Sequence, residues 1–154
     1  MKELILAILR LLFPPDIQEI PPEIVMEPIK NPPNNLLNTF CLEIKRHEGW
    51  YVGSRSQRNN NPGNCRYSSV GYLPIYGKVG KDDKNFAVFK DYETGYMYLK
   101  NLVKHKVNKN PSWNFYQFFE VYAPSFENDS KRYAEVVAKA CGVSPTTILS
   151  TVLL

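Results

Sequence analysis

What the chain has least of is the equipment for metal, disulfide and membrane-spanning chemistry. Its three cysteines, Cys41, Cys65 and Cys141, are odd in number and widely spaced. That leaves neither a disulfide framework nor a Cys-x-x-Cys metal or redox site to argue for. Cys41 and Cys141 fall among apolar residues of predicted helices, where a buried free thiol is expected. The two histidines, His47 and His105, have no partners at the spacing of a His-Glu-x-x-His zinc helix. No metal is predicted, and no motif requires a cofactor. Nor is there an apolar run of about 20 residues, the length that crosses a bilayer.

Charge is present in excess of one sign only weakly. The formal net charge is +4, which favours approach to acidic surfaces of any kind without choosing among nucleic acid, anionic lipid and cell-wall polymer. The basic residues are dispersed, and their nearest approach to a patch is Lys100, Lys104, Lys106 and Lys109. That group reads as a solvated helix face, and no zinc, RNP or recognition-helix signature accompanies it. A specific nucleic-acid partner is therefore not expected. Aromatic residues, by contrast, make up 13% of the chain, with 10 Tyr and 8 Phe, and aromatic faces suit both cores and sugars.

The 154 residues suffice for one core of ordinary size. Residues 1–13 are mostly apolar, interrupted by Arg10, and too short to span a bilayer. Glu3 and Pro14-Pro15 also suit a secretory signal poorly. This segment is expected to form a short anchor helix that docks on a membrane surface, on a partner protein such as a virion component, or on its own domain. Residues 14–33 hold seven of the twelve prolines and read as an extended tether. The compact module is then 34–154.

Within it, Asn34 or Asn35 is placed to cap a helix whose apolar stripe is Leu36, Leu37, Phe40, Cys41 and Ile44, ending near Gly49. A polar loop, 51–64, follows. Gly71, Pro74, Gly77, Gly80 and Asp82-Asp83 punctuate the stretch from Tyr67 to Phe89 into two or three short antiparallel strands. Asp91 caps a second helix to about Val107, and a third is expected from Ser112 to Tyr122. A fourth begins after Asn128 and stops at Gly142, and Ser144-Pro145 opens a short last one. The fold class expected is α+β, mostly helical, with one small sheet.

Glu48 is the residue on which chemistry would turn. Counting back by four, eight and eleven reaches Ile44, Phe40 and Leu37, so the carboxylate continues the buried stripe of its own helix. It also lies in the last turn, where the negative end of the helix dipole disfavours a further negative charge. Burial and helix end both raise its pKa. A carboxylic acid kept protonated near neutral pH is what general-acid cleavage of a glycosidic bond requires. The bland alternative is an ion pair or hydrogen bond with Lys45, Arg46 or His47. The loop Arg58-Asn59-Asn60-Asn61-Pro62-Gly63-Asn64 gathers amide donors and acceptors of the kind that read sugar hydroxyl and acetamido groups. Asn61 and Asn64, flanking Pro62-Gly63, are the candidates for substrate contact.

Taken together, the helix ending in His47-Glu48-Gly49, the asparagine loop, Phe86-Ala-Val-Phe-Lys-Asp-Tyr-Glu-Thr-Gly95 and the stretch Tyr122-Ala-Pro-Ser-Phe-Glu-Asn-Asp resemble lysozyme-like modules of bacteriophages, as do Tyr133 and Gly142-Val-Ser-Pro. The resemblance covers residue 36 to the end. It implies a lysozyme-like fold and cleavage of peptidoglycan glycan strands, by a muramidase or a lytic transglycosylase, with Glu48 as general acid and Tyr122 or Tyr133 lining the cleft. It further implies a place in a virion or at the bacterial envelope, for wall penetration or host lysis. The strand of Gly-Leu-Met-Gln-Ile type that usually follows the glutamate is absent. The rival expectation is a virion structural or wall-binding protein that keeps the fold without the catalysis. A second carboxylate would have to come from Asp82, Asp83, Asp91 or Glu93, and if none reaches the cleft a transglycosylase remains.

Overall fold

The structure, a computed structural model, describes residues 36–68, 77–125 and 129–154, all within the unit that runs from Pro33 to Leu154. The anchor, the tether and the Asn34 or Asn35 cap lie outside the described residues. The described part is mixed α/β, with helix the larger part and one small two-strand antiparallel sheet.

Helix α1, Leu36–His47, buries Leu37, Phe40, Cys41 and Ile44, a spacing that puts all four on one face. Phe40 is the hub of the core, with ring centroids 5.6, 5.2 and 5.6 Å from Phe115, Phe118 and Phe119. Those three rings come from α4, Phe115–Tyr122. Between them in sequence stand a one-turn helix α2, Arg55–Arg58, the strands β1, Lys78–Lys81, and β2, Ala87–Phe89, and the long helix α3, Tyr92–Lys109. The chain closes with α5, Ser130–Ala140, and α6, Ser150–Leu153. α1 packs against α3, α5 and α6, while α4 lies along α5.

Short polar side chains start α3, α4 and α5, satisfying orphan N–H groups at the helix start. Asp91 accepts from Thr94 N at 2.8 Å, Asp129 from Arg132 N at 3.0 Å, and Asn114 forms a reciprocal capping box with Gln117. That box moves the start of α4 to Phe115 from the expected Ser112, because Asn114 rather than Ser112 supplies the cap. Nor does Ser144-Pro145 open a helix. The backbone there pairs with the residues before α4, Phe115 N donating to Pro145 O at 3.2 Å and Leu149 N to Trp113 O at 2.9 Å, so the last helix waits until Ser150.

β1 and β2 pair antiparallel with an irregularity between Lys78 and Gly80, and an isolated bridge joins Arg66 to Phe86. Asp82 Oδ1 accepts from Lys84 N and Phe86 N at 3.0 and 2.8 Å, so this aspartate builds the hairpin turn.

Candidate active site

Glu48 follows the last residue of α1. Gly49, at φ +71°, reverses the chain, with Gly49 N donating to Arg46 O at 3.2 Å and Trp50 N to Lys45 O at 3.3 Å. This double bond pattern is a Schellman stop, and it fixes the direction in which the Glu48 side chain leaves the helix. It leaves toward the core side, into a cavity of about 600 Å³ whose walls include Asn64, Cys65, Arg66, Phe86, Tyr98 and Tyr122.

Two side chains hold the carboxylate. The Tyr133 hydroxyl lies 3.2 Å from Glu48 Oε1 and 3.4 Å from Ile44 O, and the Asn64 side chain also hydrogen-bonds to Glu48. Tyr133 is itself clamped between rings, with His47 at 4.4 Å on one side and Phe119 at 4.3 Å on the other, both stacked. Burial raises the Glu48 pKa above the ordinary carboxyl value, and the bonds from Tyr133 and Asn64 pull in the opposite direction. The hydroxyl suits both protonation states. It can donate to an ionised Glu48, or donate to Ile44 O while accepting from a protonated one.

The pairings that would make Glu48 merely structural do not form. Lys45 Nζ sits over the rings of Trp50 and Tyr92 and donates to Tyr92 at 3.2 Å. Arg46 pairs with Glu43 at 3.2 Å, and His47 stacks on Tyr133.

The asparagine loop turns out to be a scaffold with one working member. Asn59 donates to Asp82 at 2.8 Å and Asn60 to Phe89 O at 3.1 Å. Asn61, expected to contact substrate, is 1% exposed. It donates to Cys65 O and Ala87 O at 2.8 and 2.9 Å and accepts from Cys65 N at 2.9 Å, so both its donors are spent on the backbone and it offers none to a ligand. Asn64 is the exception. It reaches Glu48, and its Oδ1 has no hydrogen-bond partner among the described residues, which leaves an acceptor on the cavity wall.

Tyr122 lines the cavity, but its hydroxyl donates to Gly63 O at 2.7 Å and hydrogen-bonds with the Cys65 thiol. The bond to Gly63 O pins the loop. Gly63 sits close against its neighbours, since a Cβ would fall 2.7 Å from Leu99 and 2.9 Å from both Cys65 Sγ and the Tyr122 hydroxyl, so a larger residue would displace these side chains. Burial pushes the Cys65 thiol up to about 12, which keeps it protonated and inert.

Among the described residues Glu48 is the one carboxylate on the cavity wall. Asp82 is held in its turn by Asn59, Phe86 N, Lys84 N and, at 3.5 Å, Arg55. Asp91 caps α3, and Asp83 and Glu93 are exposed. No group of three or more His, Cys, Asp or Glu among the described residues could hold a metal ion. No helix among them is long and apolar enough to cross a membrane.

Lys106 departs from the solvated face assigned to it. Lys104 and Lys109 are exposed, but Tyr98, Leu102 and Lys106, one per turn along α3, line the cavity. Their i, i+4, i+8 spacing was the signal in the sequence that could have separated Lys106 from its neighbours. Comparison of the chain with family models, curated proteins and solved structures found no match.

Proposed function

We propose that this protein has a lysozyme-like fold and is a peptidoglycan-degrading glycosidase, a muramidase or lytic transglycosylase of bacteriophage type, with Glu48 as its general acid. The observation that carries the reading is a carboxyl group on the wall of a roughly 600 Å³ cavity, without an ion-pair partner among the described residues, its pKa raised by burial. A pocket of that size and a carboxyl group that holds its proton more tightly than an exposed one are what cleavage of a polysaccharide needs. The proton passes from Glu48 to the glycosidic oxygen as the C1–O bond breaks. With no second carboxylate on the described wall, the transglycosylase route is favoured. In it the C6 hydroxyl of the muramic residue attacks C1, its proton returns to Glu48, and a 1,6-anhydro end results. The unpartnered Asn64 Oδ1 supports the same reading, since a sugar hydroxyl or acetamido N–H would supply its missing donor.

Incubation with purified cell-wall sacculi, followed by mass spectrometry of the soluble fragments, tests this. Anhydro ends are expected; reducing ends select hydrolysis; no release of fragments sinks the enzyme reading, and binding without release leaves a wall-binding protein.

A further inference from the structure

The cavity carries an unusual charge arrangement for a site that would take a neutral sugar. Its described wall holds one acid, Glu48, and two bases, Lys106 from α3 and Arg66 from the segment just after the asparagine loop. Arg66 has its guanidinium 4.9 Å from the Phe86 ring centroid and is otherwise exposed. Lys106 is half-buried, and among the described residues no carboxylate forms an ion pair with it. A half-buried ammonium without a counter-ion is disfavoured, and burial lowers its pKa accordingly, with Lys109 adding to the effect and no carboxylate among the groups that oppose it. Glu48, Lys106 and the buried Cys65 all line the same cavity. Helix geometry fixes this placement, because Leu102 one turn earlier faces the same cavity.

We propose that Lys106, assisted by Arg66, is a subsite for a carboxylate carried by the glycan, and so selects acidic muramic strands over neutral glucosamine polymers. This rests on the glycosidase reading above and names the substrate feature that the same cavity would recognise. A carboxylate on the ligand restores the missing counter-charge in a partly desolvated position, where a charge-assisted bond is stronger than at the surface. Two sources share this chemistry: the lactyl group itself, where the stem peptide has been removed, or a carboxylate of the stem peptide.

Binding is the test, measured with full-length Glu48→Gln protein so that no strand is cut. Three soluble strands of the same backbone serve as probes: strands with stem peptides, strands stripped to free lactyl carboxylates, and stripped strands whose carboxylates are capped as methylamides. Adding Lys106→Met should weaken binding of a carboxylate-bearing strand about tenfold or more and leave the capped strand within about twofold. Lys106→Arg, which keeps the charge, should retain most of the affinity. A loss confined to stripped strands assigns the lactyl group, and one confined to stem-bearing strands assigns the peptide. An equal loss on charged and capped strands, or no loss on any, overturns the subsite, with circular dichroism melting curves establishing that each variant is folded. Charge-selective binding by a protein that nevertheless cuts no sacculi would preserve the subsite and reject the catalytic reading, so the two fail separately.

Discussion

At Glu48 burial pushes the proton on while two hydrogen bonds favour taking it off. Tyr133 supplies one of them, so Tyr133→Phe removes an influence that lowers the pKa. The expected outcome is that the alkaline limb of the pH–activity profile moves to higher pH, with the fold retained because the Phe119 stack at 4.3 Å needs only the ring. A limb that moves to lower pH, or stays in place, contradicts the bonding described. Glu48 was legible in the sequence because its helix spacing and the Gly49 stop are local properties. The resemblance offered Tyr122 or Tyr133 as a neighbour without choosing between them, and Tyr133 is the one that bonds to Glu48. Asn61 was misread for a physical reason: asparagine satisfies backbone and ligand with the same atoms, and which it does depends on strands 26 residues away in the chain, where Ala87 O accepts from it.

The elements around the site are joined by close backbone approach. A Cβ on Gly95 would fall 1.8 Å from Asn60 O, so α3 lies against the asparagine loop with no room for a side chain, and the backbone on one side must move. Gly95→Ala should therefore destabilise by about 3 kcal/mol, as overpacking against a rigid neighbour does, despite alanine's better helix propensity. A urea midpoint equal to that of the wild type would contradict this packing. Such contacts explain which elements could be anticipated. α1, α3 and α5 follow from apolar spacing plus a local cap or stop. The one-turn α2 inside the expected loop was missed because its signal is a single Ser54 cap with no apolar stripe. The segment after Ser144 was misplaced because its backbone pairs with Trp113 and Phe115, a partner that no local pattern reveals.

For the molecule as a whole, a carboxyl group whose pKa is raised by burial makes stability depend on pH. The folded Glu48 pKa lies above the unfolded one, so between the two the folded state holds more protons than the unfolded state. Stability accordingly falls as pH rises from the ordinary carboxyl value through the raised one. Glu48→Gln has no charge to bury and escapes that fall. Melting temperatures should therefore favour Glu48→Gln increasingly as pH rises through this window and converge with the wild type below it. The opposite trend would mean that Glu48 is stabilised as an anion, and so is no acid catalyst. The net charge of +4 favours approach to acidic surfaces of any kind, an attraction that weakens with salt, whereas Lys106 was separable from its lysine neighbours only by its helical spacing from Tyr98 and Leu102.

The most direct measurement compares wild type and Glu48→Gln on purified sacculi, with fragment release followed over time and each protein's fold verified by its melting curve. The account predicts that the wild type releases glycan fragments and that Glu48→Gln, folded and at least as stable near neutral pH, releases them slower by about a thousandfold or more. Release by Glu48→Gln at the wild-type rate would contradict it.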